Sequence, residues 1–242
     1  MTRPYFQSGH ATLYVGDCRD VCAELPRESV DLLVTDPPYG VRWPLGHLGE
    51  KFGPIVGDDG TIGVPEVLGK ITRHALRPHR HVYVFGYRPG DLVEPLLLGD
   101  VAELIWDKEH VGLGNMAVPW APSFERCTFG VHVKSQRQRE RGDGRLAARL
   151  RTGSVLRCSR IGGVSARHPS EKPVPLMRML VESSSLVGET VLDPFAGSGS
   201  TLVAAVLAGR HAVGVELSER YAETAARRLE KAEAVVRDMV GI

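Results

Sequence analysis

The chain has 242 residues, 43% of them apolar and 24% charged, with a formal net charge of +1. Those values suit a soluble globular chain that buries one good core and carries an insert, or at most two small domains. No apolar run reaches the length of a membrane span, Met1 to Tyr5 does not open a signal peptide, and Cys18, Cys22, Cys127 and Cys158 lack zinc-ligand spacing. A cytoplasmic chain with reduced thiols is therefore expected.

Ala11 to Val15 alternates and ends at Gly16-Asp17, which predicts a strand; Asp20 to Glu28 predicts a short helix. Val30 to Thr35 is a short, mostly apolar run, read as a buried strand that must stop at Pro37-Pro38, since neither residue can give a sheet its N–H. Val41 to Gly63 has no period and reads as a long loop. Then follow a helix from Pro65 to Leu76, a strand from His81 to Gly86, a helix from Gly90 to Leu98, a strand from Ala102 to Trp106 and an edge strand from Cys127 to Val133.

From Lys134 to Arg167, ten Lys or Arg stand against Glu140 and Asp143, a net of +8 that leaves the remainder at −7. Such asymmetry predicts a basic segment made for a polyanion on a mildly acidic body. Leu146, Leu150 and Val155 are its apolar anchors. Pro173 to Val187 has helical period, Thr190 to Leu192 is a buried strand, a helix runs to Ala208, His211 to Leu217 is a strand, and the last helix sets Ala222, Ala225, Ala226, Leu229, Ala232 and Val236 on one face. Alternating strands and helices predict an α/β fold whose mostly parallel sheet is covered on both sides.

Two stretches carry chemistry. Asp36-Pro37-Pro38-Tyr39 delivers a carboxylate, stiff carbonyls and an aromatic ring to the C-terminal edge of a sheet, where ligands bind in open α/β folds. Asp193-Pro194-Phe195-Ala196-Gly197-Ser198-Gly199-Ser200 is a strand, a Gly-rich turn and the start of a helix, with Glu216 ending the next strand where an acid can take ribose hydroxyls. Leu202 stands where a dinucleotide fingerprint wants glycine, and no Lys follows the second glycine, so a nucleoside without phosphates fits better.

This pair of motifs, in this order, resembles the S-adenosylmethionine-dependent DNA amino-methyltransferases, and their circularly permuted β group in particular. Gly16-Asp17-Cys18, Trp106-Asp107-Lys108 and His168-Pro169-Ser170-Glu171-Lys172-Pro173 agree with it. Ser200 departs from the usual Thr but keeps the hydroxyl, and Phe124-Glu125 stands where many members have His-Glu. The resemblance implies a Rossmann-like, circularly permuted sheet of seven strands. On this resemblance residues 1–133 are expected to form the catalytic half, 134–167 a target-recognition insert and 168–242 the cofactor half.

It implies S-adenosyl-L-methionine as cofactor, held by Asp193, Pro194, Phe195, Gly197, Ser198 and Gly199, with Glu216 and Leu217 at the ribose, Asp17 and Cys18 near the adenine, and Lys172 near the methionine carboxylate. Double-stranded DNA is the implied partner, with Arg137, Arg139, Arg141, Arg145, Arg149 and Arg151 as candidate contacts. A homodimer and a cognate restriction endonuclease are further expectations from the resemblance.

The exocyclic amine of a base is a poor nucleophile because its lone pair is delocalised into the ring. Two acceptors aimed at its hydrogens, the Asp36 carboxylate and the Pro37 carbonyl, would free that pair, and Pro38 adds no donor to spoil an acceptor-only site. The base must leave the duplex, and Tyr39 supplies an aromatic face for it. No metal and no covalent intermediate is required. Asp36 favours adenine N6 over cytosine N4, whose enzymes more often carry Ser before the Pro-Pro; an RNA or protein-amide methyltransferase and a catalytically dead DNA-binding relative are the remaining alternatives.

Overall fold

The computed structural model describes residues 2–38, 63–110, 117, 119–135, 153–162 and 171–240. Among the described residues, nine strands make one sheet: β1 (Phe6–Gln7), β2 (Ala11–Val15), β3 (Val30–Thr35), β4 (Leu76–Phe85), β5 (Leu98–Asp107), β6 (Phe124–His132), β7 (Val155–Arg157), β8 (Thr190–Asp193) and β9 (His211–Glu216), in the order β1-β2-β9-β8-β3-β4-β6-β5-β7. The helices are α1 (Cys18–Glu24), α2 (Val64–Ala75), α3 (Pro89–Leu96), α4 (Val174–Ser184), α5 (Ser200–Leu207) and α6 (Glu219–Val240). No helix among the described residues is long and apolar enough to cross a membrane.

The N-terminal strand β2 lies parallel to the C-terminal strand β9, from Ala11 beside Ala212 to Val15 beside Glu216. That pairing closes the expected permuted sheet: the seven strands from β2 to β5 are those expected, and short β1 and β7 extend its two edges. Every residue of β3 is buried, with Leu32 and Val34 packed on one face and Leu33 on the other. Helices α4, α5 and α6 cover the first face through Leu176, Leu180, Leu202 and Leu229; α1, α2 and α3 cover the second through Val21, Leu68, Ile71 and Leu92. A strand apolar on both sides needs such cover.

Several boundaries differ from expectation. The stretch expected as an edge strand is β6, and it is interior, antiparallel to both β4 and β5. Its polar residues survive burial because they are bonded: Thr128 Oγ1 donates to the Tyr87 carbonyl at 2.7 Å, and His132 Nδ1 lies 2.9 Å from the Leu96 carbonyl. Helix α1 begins earlier than Asp20, because Asp17 caps it by accepting from the Arg19 amide. Helix α3 stops at Leu96, where Leu97 turns to φ 53°, and β5 starts at once. Strand β7 falls within 134–167, and Leu156, rather than Val155, is its buried residue. The loop 41–62 and the arginine-rich part of the insert, 136–152, lie outside the described residues.

Candidate active site

The two motif-bearing strands are neighbours. β3 and β8 run parallel with Leu32 beside Val191 and Leu33 beside Leu192, so both motifs emerge at the same edge of the sheet. Just above that register, buried Thr35 donates its hydroxyl to Asp193 Oδ1 at 2.7 Å, and the Phe195 amide donates to the same oxygen at 3.1 Å. Burial pushes the Asp193 carboxyl up to about 6, against the hydrogen bonds that favour its charged form.

The turn after β8 is bare where it must be. Gly197 and Gly199 sit at φ 53° and 81°, and a Cβ on Gly199 would meet the Ala225 Cβ of α6 at 2.8 Å. The Gly197 amide donates to Glu216 Oε2 at 2.8 Å, and the Ser218 amide to Glu216 Oε1 at 2.7 Å. Burial raises the Glu216 carboxyl, an effect these amides partly offset. Gly16, at the end of β2, donates its amide to the Glu216 carbonyl at 3.0 Å, which sets Asp17 and Cys18 beside the end of β9.

An open cleft of about 340 Å³ lies between the motifs, lined by Asp36, Lys172, Asp193, Phe195, Gly197 and Ser198 among others. Asp36 and Gly197, 161 positions apart in sequence, thus share one cavity. The cleft lining does not include Asp17, Cys18, Pro194, Gly199, Glu216 or Leu217. Arg19 pairs with Asp17 and holds its carboxyl below the usual range, whereas Cys18 packs into the apolar core and burial pushes its thiol up to about 12. Leu217 is half exposed. Tyr87 donates its hydroxyl to the Pro38 carbonyl at 3.1 Å. Tyr39, His168 to Ser170 and Arg137, Arg139, Arg141, Arg145, Arg149 and Arg151 lie outside the described residues.

Lys172, which the resemblance implies near the methionine carboxylate, lines the cleft and is buried against Asp36. Its Nζ stands 2.5 Å from Asp36 Oδ2 and 3.1 Å from Glu125 Oε2, and Lys108 Nζ reaches Glu125 Oε1 at 2.6 Å. Burial opposes the charged ammonium, but the two carboxylates outweigh it and hold Lys172 above the ordinary lysine range. Burial likewise pushes Glu125 up, and Lys172 and Lys108 bring it below the usual carboxylate range.

A second ionic cluster ties the Gly-rich turn from below. Arg228 of α6 donates to the Ser198 carbonyl at 2.7 Å and to Ser198 Oγ at 2.9 Å, and lies 3.0 Å from Glu171 Oε1, whose side chain has no exposed surface. Sequence reasoning passed over Arg228, which on a helix with Arg and Glu opposite its apolar face reads as a solvated charge.

The family model described as DNA methylase, of the N6/N4 class, matches residues 103–227 of this chain. The chain belongs to the N6/N4 DNA methylase family. Among similar proteins, Type II methyltransferase M2.DpnII of Streptococcus pneumoniae is 25% identical over 95% of this chain and 93% of its own length. DNA adenine methyltransferase YhdJ of Escherichia coli is 27% identical over 91% of this chain and 83% of its own. The crystal structure of TTHA0409, a putative DNA modification methylase from Thermus thermophilus complexed with S-adenosyl-L-methionine, superposes with a TM-score of 0.61 at 29% identity, covering 93% of the methylase and 96% of that chain.

Proposed function

We propose that this methylase transfers a methyl group from S-adenosyl-L-methionine to the exocyclic N6 amine of an adenine flipped out of duplex DNA. The observation that carries the reading is the single cleft into which Asp36 and the Gly197 turn both open, with Thr35 bonded to Asp193 across the two strands. The residues fit the cofactor. A Gly-rich turn without a phosphate-binding Lys, a half-buried carboxylate at the end of the next strand and the Phe195 side chain suit a nucleoside with a charged tail. Asp193, Pro194, Phe195, Gly197, Ser198 and Gly199 would hold it, Glu216 and Leu217 would meet the ribose, and Asp17 and Cys18 the adenine ring.

When bound, S-adenosyl-L-methionine supplies an electrophilic methyl on a sulfonium, so transfer breaks one C–S bond, forms one N–C bond and releases one amine proton. The chain's own part is to make the amine nucleophilic and to aim it. Asp36 accepts from one amine hydrogen and the Pro37 carbonyl from the other, drawing the nitrogen toward tetrahedral geometry. Pro37 and Pro38 contribute no N–H that could compete. Tyr39 stacks on the flipped base. Holding nitrogen and methyl in line supplies much of the acceleration.

The basic insert is the proposed reader of the duplex, through Arg137, Arg139, Arg141, Arg145, Arg149 and Arg151. Homodimerisation, a cognate restriction endonuclease and action on DNA in a cytoplasm belong to the same proposal.

The test is expression in a host lacking its own methylases, followed by single-molecule sequencing of modified bases. N6-methyladenine at one defined sequence is expected. N4-methylcytosine would overturn the choice of base, and unmodified DNA the activity itself.

A further inference from the structure

Lys172 is an unusual side chain to bury. It is 4% exposed, and its ammonium lies 5.1 Å from the Phe85 ring centre and 5.9 Å from that of Trp106. An ammonium is kept in such a place only when its charge is answered. Here Asp36 follows β3, Phe85 ends β4, Trp106 lies in β5 and Glu125 lies in β6, so four separate segments converge on the nitrogen of Lys172, which precedes α4. The four ionic groups run in a row, Asp36, Lys172, Glu125 and Lys108, and their charges cancel.

We infer that Lys172 and Glu125 are positioning residues for Asp36: Lys172 fixes the orientation and the ionised state of the Asp36 carboxylate for the incoming amine, and Glu125 fixes Lys172. This rests on the function proposed above. Asp36 can accept from an amine hydrogen only as an oriented carboxylate, and a cation held against it favours both the orientation and the charge. The 2.5 Å contact to Lys172 supplies both. Glu125 is remote from the chemistry but limits where Lys172 can sit, because Lys108 anchors its other oxygen.

Among the described residues, Lys172 before α4, Glu125 in β6, buried Asp193 at the end of β8 and Cys127 in β6, whose thiol burial pushes up, lie around Asp36. Lys172 is the cation among them and Glu125 and Asp193 are the acids, so the signs of the variants differ. Removing Lys172 takes away the charge that favours ionised Asp36; removing the Glu125 charge takes away a repulsion.

The experiment follows the residue-36 carboxyl carbon by NMR in cofactor-free protein, together with single-turnover methyl transfer to duplex DNA across pH and cofactor Kd by calorimetry. In Lys172→Met the carboxyl titrates at least about one pH unit higher, and the acid limb of the rate profile moves up with it. Lys172→Arg keeps the charge, so the limb stays near that of the wild type while the rate falls through altered geometry. Glu125→Gln lowers the rate about tenfold or more with the limb unmoved or lower and cofactor Kd changed less than about threefold, and Glu125→Asp restores part of it.

Lys172→Met that leaves titration and limb unmoved while cofactor Kd rises tenfold would overturn the inference in favour of cofactor-carboxylate binding. Glu125→Gln with wild-type turnover would overturn the part assigned to Glu125. Should Lys172→Met fail to fold, Lys172→Arg and the less buried Glu125 decide. Wild-type protein that leaves DNA unmethylated, with the carboxyl shift intact, would count against the proposed function and for the pairing.

Discussion

Thr35 Oγ1 and Asp193 Oδ1 meet at 2.7 Å, both buried, on adjacent parallel strands whose next residues enter the catalytic and the cofactor motifs. The bond fixes the spacing between donor and acceptor halves of the site. It also helps keep a deeply buried carboxylate chargeable, since burial otherwise drives Asp193 toward its neutral form. Thr35→Val keeps the shape and removes the donor. A loss of about 2 kcal/mol in unfolding free energy is expected, together with weaker cofactor binding, measured by urea titration and calorimetry.

Asp193 also gives the stability a pH slope. Its carboxyl is raised from 3.8 to about 6 in the fold, so the folded state binds more protons than the unfolded state between those values. That contribution is fully present below about pH 4 and is lost as pH rises through about 6, an effect of at most about 3 kcal/mol. Asp193→Asn cannot titrate, and its denaturation midpoints should vary less between pH 4 and 6.5 than those of the wild type. An unchanged slope would remove Asp193 as its source.

Arg228 stands between α6 and the Gly-rich turn, bonded to Ser198 and beside the fully buried side chain of Glu171. Arg228→Met strips Glu171 of this cation and Ser198 of two hydrogen bonds. We expect a loss of about 3 kcal/mol, with part of it recovered in the double variant Arg228→Met, Glu171→Gln, because the second change removes the buried charge that the first exposed. Cofactor affinity should fall in the single variant, since the turn is no longer tied. Additive losses in the double variant would mean that the two side chains act separately.

How far the site was legible follows from what marks it. Asp36 and Gly197 were readable because Pro37, Pro38 and the glycines are backbone signals, and they end strands wherever the strands lie in the sheet. The β2–β9 pairing was readable because the cofactor half needed a third strand and the N-terminus offered one ending in Gly16-Asp17. Lys172 beside Glu125, and Arg228 beside Glu171, were not. Each pair joins elements about 50 residues apart, and nothing local distinguishes a buried ionic partner from an ordinary surface charge. The interior place of β6 was hidden for a related reason: Thr128 and His132 look like edge residues until their carbonyl partners on Tyr87 and Leu96 are known.

The ionic row at Asp36 alters how the catalytic motif should be tested. Asp36→Ala removes the acceptor and also withdraws a carboxylate from buried Lys172, so a loss of turnover in that variant mixes chemistry with packing. Asp36→Asn keeps the side-chain volume and one acceptor oxygen. It is expected to lower single-turnover transfer by about a hundredfold or more while cofactor Kd stays within about threefold, because Asn brings a donor into an acceptor-only site. Near-normal turnover in Asp36→Asn would remove the carboxylate from the mechanism.

The segment from Lys134 to Arg167 carries a net +8 on a chain whose total is +1, so a large part of its affinity for duplex should come from released counterions. Neutralising Arg137, Arg139 and Arg141 together to Gln removes three of those charges. The slope of log affinity against log salt should become shallower by about 2.7, since each phosphate contact contributes about 0.9. Loss of discrimination between target and random duplex, with the slope unchanged, would instead assign these three arginines to base edges in the groove. Filter binding at four salt concentrations, with target and random duplexes side by side, separates the two roles, because a phosphate contact weakens both duplexes alike and a base contact weakens only one.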